Sequence, residues 1–261
     1  MPRELAYIAV EGPHDIEFVA RLLKPRGFAR VRQLPTLDPY WADLVPKTYP
    51  PDDDLLKRVP IPLFFQSATH AVAIQSAIGV SNLVSLVQGT LDLKQNALPG
   101  ALGIVLDADD GQSPQQRFSA LVTELEAKGV FAAAQSPANM GGVTAGNPRW
   151  GIYVLPDNAA PGTLEDILLE CADSAYPNLK QHAGTFVRDF DRGKLFGDDM
   201  DDFNTPAGPK KAQVACISSV LKPGKAIQVS IQDNRWLEGS TLTLPRVAAL
   251  SNFLRQLLAL P

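Results

Sequence analysis

The stretch Leu5-Ala6-Tyr7-Ile8-Ala9-Val10, followed at once by Glu11-Gly12-Pro13-His14-Asp15, decides the fold of this chain. A short apolar run bounded by turn residues reads as a buried strand of a parallel sheet. The same grammar recurs in Gly103-Ile104-Val105-Leu106, which leads into Asp107-Ala108-Asp109-Asp110-Gly111. In open α/β sheets, ligands bind outside the carboxyl ends of such strands. Two strands that both end in acids therefore bring Glu11, Asp15, Asp107 and Asp109 toward one edge. Like charges gathered this way repel one another unless a cation compensates, and hard oxygen donors suit Mg²⁺ or Mn²⁺.

Outward from the first strand, Ile16 to Leu23 has the apolar spacing of a helix, which Lys24-Pro25-Arg26-Gly27 ends. Asp15 then stands near a helix N-terminus, where a carboxylate is favoured. Residues 33–63 hold Pro35, Pro39, Pro46, Pro50, Pro51, Pro60 and Pro62. Prolines at that density do not fit central strands or helices, so the stretch reads as an ordered insertion or lid, anchored by Tyr40 and Trp41. Strands are expected at His70–Gln75 and Trp150–Leu155. Gly79 is expected to turn the chain, and Ser81-Asn82 to cap a helix running through Leu93. Further helices are expected over Gln115–Lys128, Leu164–Ala172 and about Leu244–Leu258. Thr163-Leu164-Glu165-Asp166 has the layout of a capping box. Strands alternating with helices imply an α/β fold: a mostly parallel, Rossmann-like sheet flanked by helices, in a single domain over 1–261. The proline-rich insertion interrupts that domain, and a helical C-terminal extension covers 176–261.

With 261 residues and a formal net charge of −4, the chain is no basic nucleic-acid binder of the kind that works by phosphate neutralisation alone. Bound metal ions are the alternative source of positive charge at a reacting phosphate. Two cysteines, Cys171 and Cys216, make up neither a disulfide framework nor a four-ligand zinc site. No apolar stretch is long enough to span a bilayer, and Met1-Pro2-Arg3-Glu4 lacks a signal-peptide layout, so a cytoplasmic protein without membrane contact is expected.

Glu11-Gly12-x-x-Asp15 after the first strand, the Gly79 turn, and Asp107-x-Asp109 after a later strand resemble the Toprim domain. That domain occurs in topoisomerases, bacterial primases, small nucleases and the overcoming-lysogenization-defect (OLD) nucleases. Gly162-Thr163-Leu164-Glu165-Asp166 is similar to the further acidic motif of OLD-type and Toprim-related bacterial proteins. The resemblance covers roughly residues 5 to 175. It implies a Toprim-like sheet and metal-dependent phosphoryl transfer on nucleic acid, above all nuclease activity. It also implies Glu11 as general acid/base or metal ligand, and Asp107 and Asp109 as the main Mg²⁺ ligands. Asp15 and Glu165 would complete a second position. For the late lysine of OLD-type proteins, Lys210 or Lys211 stands nearest, and Lys211 is taken with Glu11 as the catalytic pair. The chain shows no ATPase domain, no second domain with a nucleophilic tyrosine and no zinc module. The rival expectation is a non-catalytic Toprim-like module that binds a partner protein or nucleic acid.

Other motifs have plainer readings. The Asp198–Asp202 cluster lacks EF-hand spacing and reads as a solvated loop. His14 reads equally as a substrate contact or as surface packing, whereas His70 and His182 read as structural. Asn139 to Gly146 lacks P-loop spacing and reads as a flexible connector. The acid-free run from Phe203 to Gln232 reads as packed elements with solvated Lys210, Lys211, Lys222 and Lys225 between them.

Overall fold

The computed structural model describes residues 2–48, 61–94, 97–130, 135–190 and 197–261. Among these described residues, six strands form one sheet: β1 (Glu4–Val10), β2 (Ala29–Arg30), β3 (Leu63–Gln66), β4 (His70–Ser76), β5 (Ala101–Asp107) and β6 (Arg149–Leu155), in the order β2-β3-β4-β1-β5-β6. The four strands β4, β1, β5 and β6 run parallel. The edge formed by β3 and β2 is antiparallel, so the sheet is mixed. Eight α-helices among the described residues flank it: α1 (Pro13–Leu23), α2 (Leu83–Leu93), α3 (Pro114–Ala127), α4 (Leu164–Ala175), α5 (Pro177–Asp189), α6 (Gly208–Leu221), α7 (Ile227–Asp233) and α8 (Pro245–Leu257). The expected strands and helices are present with ends shifted by a few residues. Among the described residues no helix is long and apolar enough to cross a membrane.

Period-two alternation along the buried strands divides the core between the two faces of the sheet. Ala6, Ile8, Val10, Val72, Ile74 and Val105 pack with α1, α4, α6, α7 and α8. Tyr7, Ala9, Ala71, Ala73, Ile104 and Ile152 pack with α2, α3 and Trp41. On the first face, α8 lies against two glycines that are direct cross-strand partners, Gly103 and Gly151. A Cβ at Gly103 would come 2.5 Å from Leu257 Cδ2, and one at Gly151 2.7 Å from Phe253 Cε2.

Several local expectations are corrected. β2 and β3 fall where none was expected, and Leu63 opens β3 rather than closing the insertion. Part of that insertion, 49–60, lies outside the described residues. Its described part folds into 3₁₀ turns anchored as expected: Trp41 is fully buried, Tyr40 Oη donates to Ala97 O at 2.6 Å, and the Lys94 ammonium sits over the Tyr40 ring. Asn82 precedes α2 without capping it, since its amide donates instead to Ile78 O. The glycine-rich 139–146 stretch is no free connector. It runs antiparallel beside β6 through Gly141 N–H to Ile152 O and Thr144 N–H to Trp150 O. His70 is structural as expected, buried with Nε2 2.9 Å from Leu258 O.

Candidate functional site

Parallel strands end together, so the residues after β1 and β5 meet at one edge. Val10 pairs with Ser76 on one side and Val105 on the other, which sets Glu11 beside Asp107. The Asp107 N–H donates to Glu11 Oε2 at 3.3 Å. Ser76 Oγ and the Gly79 N–H both donate to the Glu11 carbonyl, so the turn after β4 folds around it. That turn needs Gly79, whose φ of 111° is strained for any other residue.

Two helix N-termini close the site. Pro at the first position and a β-region Gly12 start α1, and Asp15 Oδ2 accepts from the Gly12 N–H at 2.7 Å. At α4, Asp166 Oδ2 accepts from the Thr163 N–H at 2.8 Å, the reciprocal half of the expected capping box. The Leu164 N–H is spent on Asp107 Oδ1 at 2.9 Å, so α4 begins on the carboxylate that ends β5.

Between these elements lies a cleft of about 830 Å³, lined among others by Glu11, His14, Asp15, Asp107, Glu165 and Lys211. Burial pushes Asp15 up to about 8, opposed by the Gly12 N–H and reinforced by Glu11 and Glu165. Burial likewise holds Asp107 well above the ordinary aspartate value, with Asp15, Glu11 and Glu165 adding to the shift. Glu11 is raised by burial as well, relieved in part by the Asp107 N–H, Arg117 and Lys211. His14 is lowered, chiefly by burial, and stays neutral near pH 7.

Four of the five expected metal ligands thus come together: Glu11, Asp15, Asp107 and Glu165. The fifth is near enough to raise Glu11 but does not line the cleft. Asp109 adopts φ 66°, its backbone bridges Gly162, and its carboxylate is ion-paired with Arg117. The two lysines also separate. Lys210, expected to be solvated, bonds Asp110 Oδ1 at 2.8 Å and Asp166 Oδ2 at 2.7 Å. Burial opposes its charge, but those two partners outweigh it and hold Lys210 above its usual range. Lys211 is exposed on the cleft and makes no hydrogen bond or salt bridge among the described residues. Of the cations that neutralise the acidic loop, Arg117 was singled out by no motif, and Lys210 only as one of two candidates for the late lysine of OLD-type proteins.

The donor set fits a hard divalent cation. It is all oxygen, and Asp15 Oδ1 is buried with no hydrogen-bond partner among the described residues. Among the described residues no group of three His, Cys, Asp or Glu side chains stands in a geometry that could hold a metal ion.

A crystal structure of a hypothetical protein from Pyrococcus horikoshii is similar in fold, with a TM-score of 0.51 and 18% identity over 97% of this chain and 95% of that one. No curated protein matches the chain. A family model described as a protein of unknown function, DUF3226, matches residues 6–259.

Proposed function

The chain belongs to that family, whose description assigns no activity, and we propose from the cleft that it is a divalent-metal-dependent phosphoryl-transfer enzyme acting on nucleic acid, a nuclease of Toprim type. The observation that carries this reading is the meeting of Glu11, Asp15, Asp107 and Glu165 in one cleft at the carboxyl edge of the sheet, where Glu11 and Glu165 make the charges of Asp15 and Asp107 more costly. Such an arrangement is destabilising without a cation and useful with one. The Toprim assignment is further supported by order and adjacency: Glu11-Gly12 follows β1, Asp107-x-Asp109 follows β5, and the two strands are neighbours.

Held by Asp15, Asp107, Glu165 and Glu11, Mg²⁺ or Mn²⁺ would polarise a phosphoryl oxygen and make bound water more acidic. Asp109 would join that set if its carboxylate parted from Arg117. Glu11, raised by burial yet held by the Asp107 N–H, is suited to exchange a proton with the attacking or leaving oxygen. Lys211 supplies an unpaired positive charge for a phosphate entering the cleft. Neutral His14 offers a hydrogen bond to the substrate.

A second reading, a non-catalytic module that binds nucleic acid or protein, draws on the Asp109–Arg117 ion pair, which occupies a carboxylate that the enzyme needs. Cleavage of plasmid, single-stranded DNA and RNA with Mg²⁺ or Mn²⁺ decides between them. We expect wild type to cleave at least one substrate, and Asp107→Ala and Glu11→Gln to lose about 100-fold or more. Equal inertness of wild type and both variants across substrates and metals would leave the binding module as the better account.

A further inference from the structure

The two ends of α1 carry opposite electrostatics. At its N-terminus, crowded acids are raised. At its C-terminal end Glu17, Ala20, Arg21 and Lys24, spaced along one helix face, line a second cavity of about 340 Å³. Its other walls include Arg30 and Arg32 at the β2 edge and Asp233 at the end of α7. Two acids near this cavity are lowered instead. Asp233 is held below its ordinary value mainly by a hydrogen bond from Lys222, and Glu238 mainly by one from Arg21, with Lys24 and Arg235 adding to it. Cations outnumber anions here, although the chain as a whole carries −4.

Most of these charges are already committed. Arg30 pairs with Glu17 and lies over the Phe65 ring. Lys222 pairs with Asp233 at 2.9 Å. Arg21, buried against α7, donates to the carbonyls of Gln232, Asn234 and Leu237 and to Glu238 Oε1, yet its Nε is buried with no partner among the described residues. Lys24 and Arg32 are exposed at the cavity and make no hydrogen bond or salt bridge among the described residues. Two uncommitted donors over a buried, incompletely satisfied guanidinium form a pocket that attracts an anion with several acceptor oxygens.

We propose that this cavity binds a phosphate-bearing anion at a site separate from the acidic cleft, with Lys24 and Arg32 as the direct donors and Arg21 as the buried charge behind them. The phosphate belongs either to a free phosphate compound or to the backbone of a polynucleotide. The site does not depend on the chemistry of the cleft, because no cleft residue lines it.

The test is calorimetric titration of the full chain with pyrophosphate and, separately, with a short single-stranded oligonucleotide, in phosphate-free buffer containing chelator. Wild type is expected to bind at least one of the two. Lys24→Gln/Arg32→Gln is expected to weaken that binding by about tenfold or more, and Lys128→Gln, at an exposed lysine outside both cavities, to leave it unchanged. Binding of pyrophosphate identifies a free phosphate compound, and binding of the oligonucleotide alone identifies the backbone. Both replaced side chains are exposed and unpaired among the described residues, so the double variant should melt as wild type does. No binding of either probe by wild type, or equal binding by the double variant, overturns the proposal. Chelator removes metal-dependent chemistry from the titration, so a failed cleavage assay leaves this result standing, and the reverse holds too.

Discussion

Asp15 and Asp107 carry the sharpest consequence at the residue scale. Both bind a proton more readily in the folded chain than in the unfolded one, because burial and the surrounding acids penalise their charge. For Asp15 the contribution to stability is therefore full below the ordinary aspartate value of about 4 and is lost as pH rises through about 8, and Asp107 acts in the same sense. In chelator, the unfolding free energy should fall across that window, at most by about 1.4 kcal/mol per pH unit for each proton released. Asp15→Asn keeps an oxygen to accept the Gly12 N–H and removes the charge, so it should raise the apo melting temperature above pH 7 and flatten the slope. Divalent metal should act in the opposite sense. It binds the folded state and competes with protons, so millimolar Mg²⁺ or Mn²⁺ should raise the melting temperature more as pH rises, and Asp107→Ala should abolish the rise. Melting curves with and without chelator at several pH values check both outcomes, and a flat apo profile would refute the crowded-acid account. Glu11 and Asp107 were legible because a strand end fixes where the next residue lies, Asp15 because the helix starts directly after, and Glu165 only through the resemblance of its motif. Asp109 was not, because a left-handed φ in the loop turns its side chain toward Arg117, eight residues on.

At the scale of elements, two contacts hold the C-terminal helices in place. α8 sits in the groove left by Gly103 and Gly151, and Arg149 Nε donates to Leu257 O at 2.9 Å. Gly151→Val would push into Phe253 and Leu257 and should cost about 1–3 kcal/mol by urea denaturation, with metal-induced stabilisation retained. α6 is tied to the cleft by Lys210, which joins the β5 loop to the start of α4. Lys210→Met leaves Asp110 and Asp166 facing one another, and Asp110 Oδ2 already lacks a partner among the described residues. The loss should be about 1–2 kcal/mol, discounted because all three groups are partly exposed. Adding salt should narrow the difference from wild type, whereas a purely steric role for Lys210 would leave it unchanged. The parallel strands were readable because each is a seven-residue apolar segment with turn residues after it. β2 has two residues and β3 four, too short to show a period, and β3 follows Pro60 and Pro62 closely enough for the prolines to dominate. The groove for α8 was equally hidden, since two glycines far apart in sequence reveal nothing until the register aligns them.

Across the whole molecule, charge is sorted along the α1 axis: acids cluster at the carboxyl edge of the sheet and free cations lie at the far end. The apo cleft therefore repels the phosphate it is proposed to process, and Lys211 alone does not reverse that field. Nucleic acid should enter the cleft only when metal has compensated the acids. The check is binding of a labelled oligonucleotide to Asp107→Asn and to wild type, each carrying Lys24→Gln/Arg32→Gln so that the reading reports the cleft alone. Ca²⁺ replaces Mg²⁺ to hold back turnover. Wild type in this background should bind only with the cation, and Asp107→Asn more weakly at every cation concentration. The affinity should fall only gently with salt, because few fixed cations line the cleft. Each neutralised phosphate contributes a slope of about −0.7 on logarithmic axes for single strands, so the total should be no steeper than about −2. Tight binding in chelator with a steep salt slope would mean that a fixed basic surface captures the substrate. The carboxylates of Glu11, Asp15, Asp107 and Glu165 would then have no part in recruiting it.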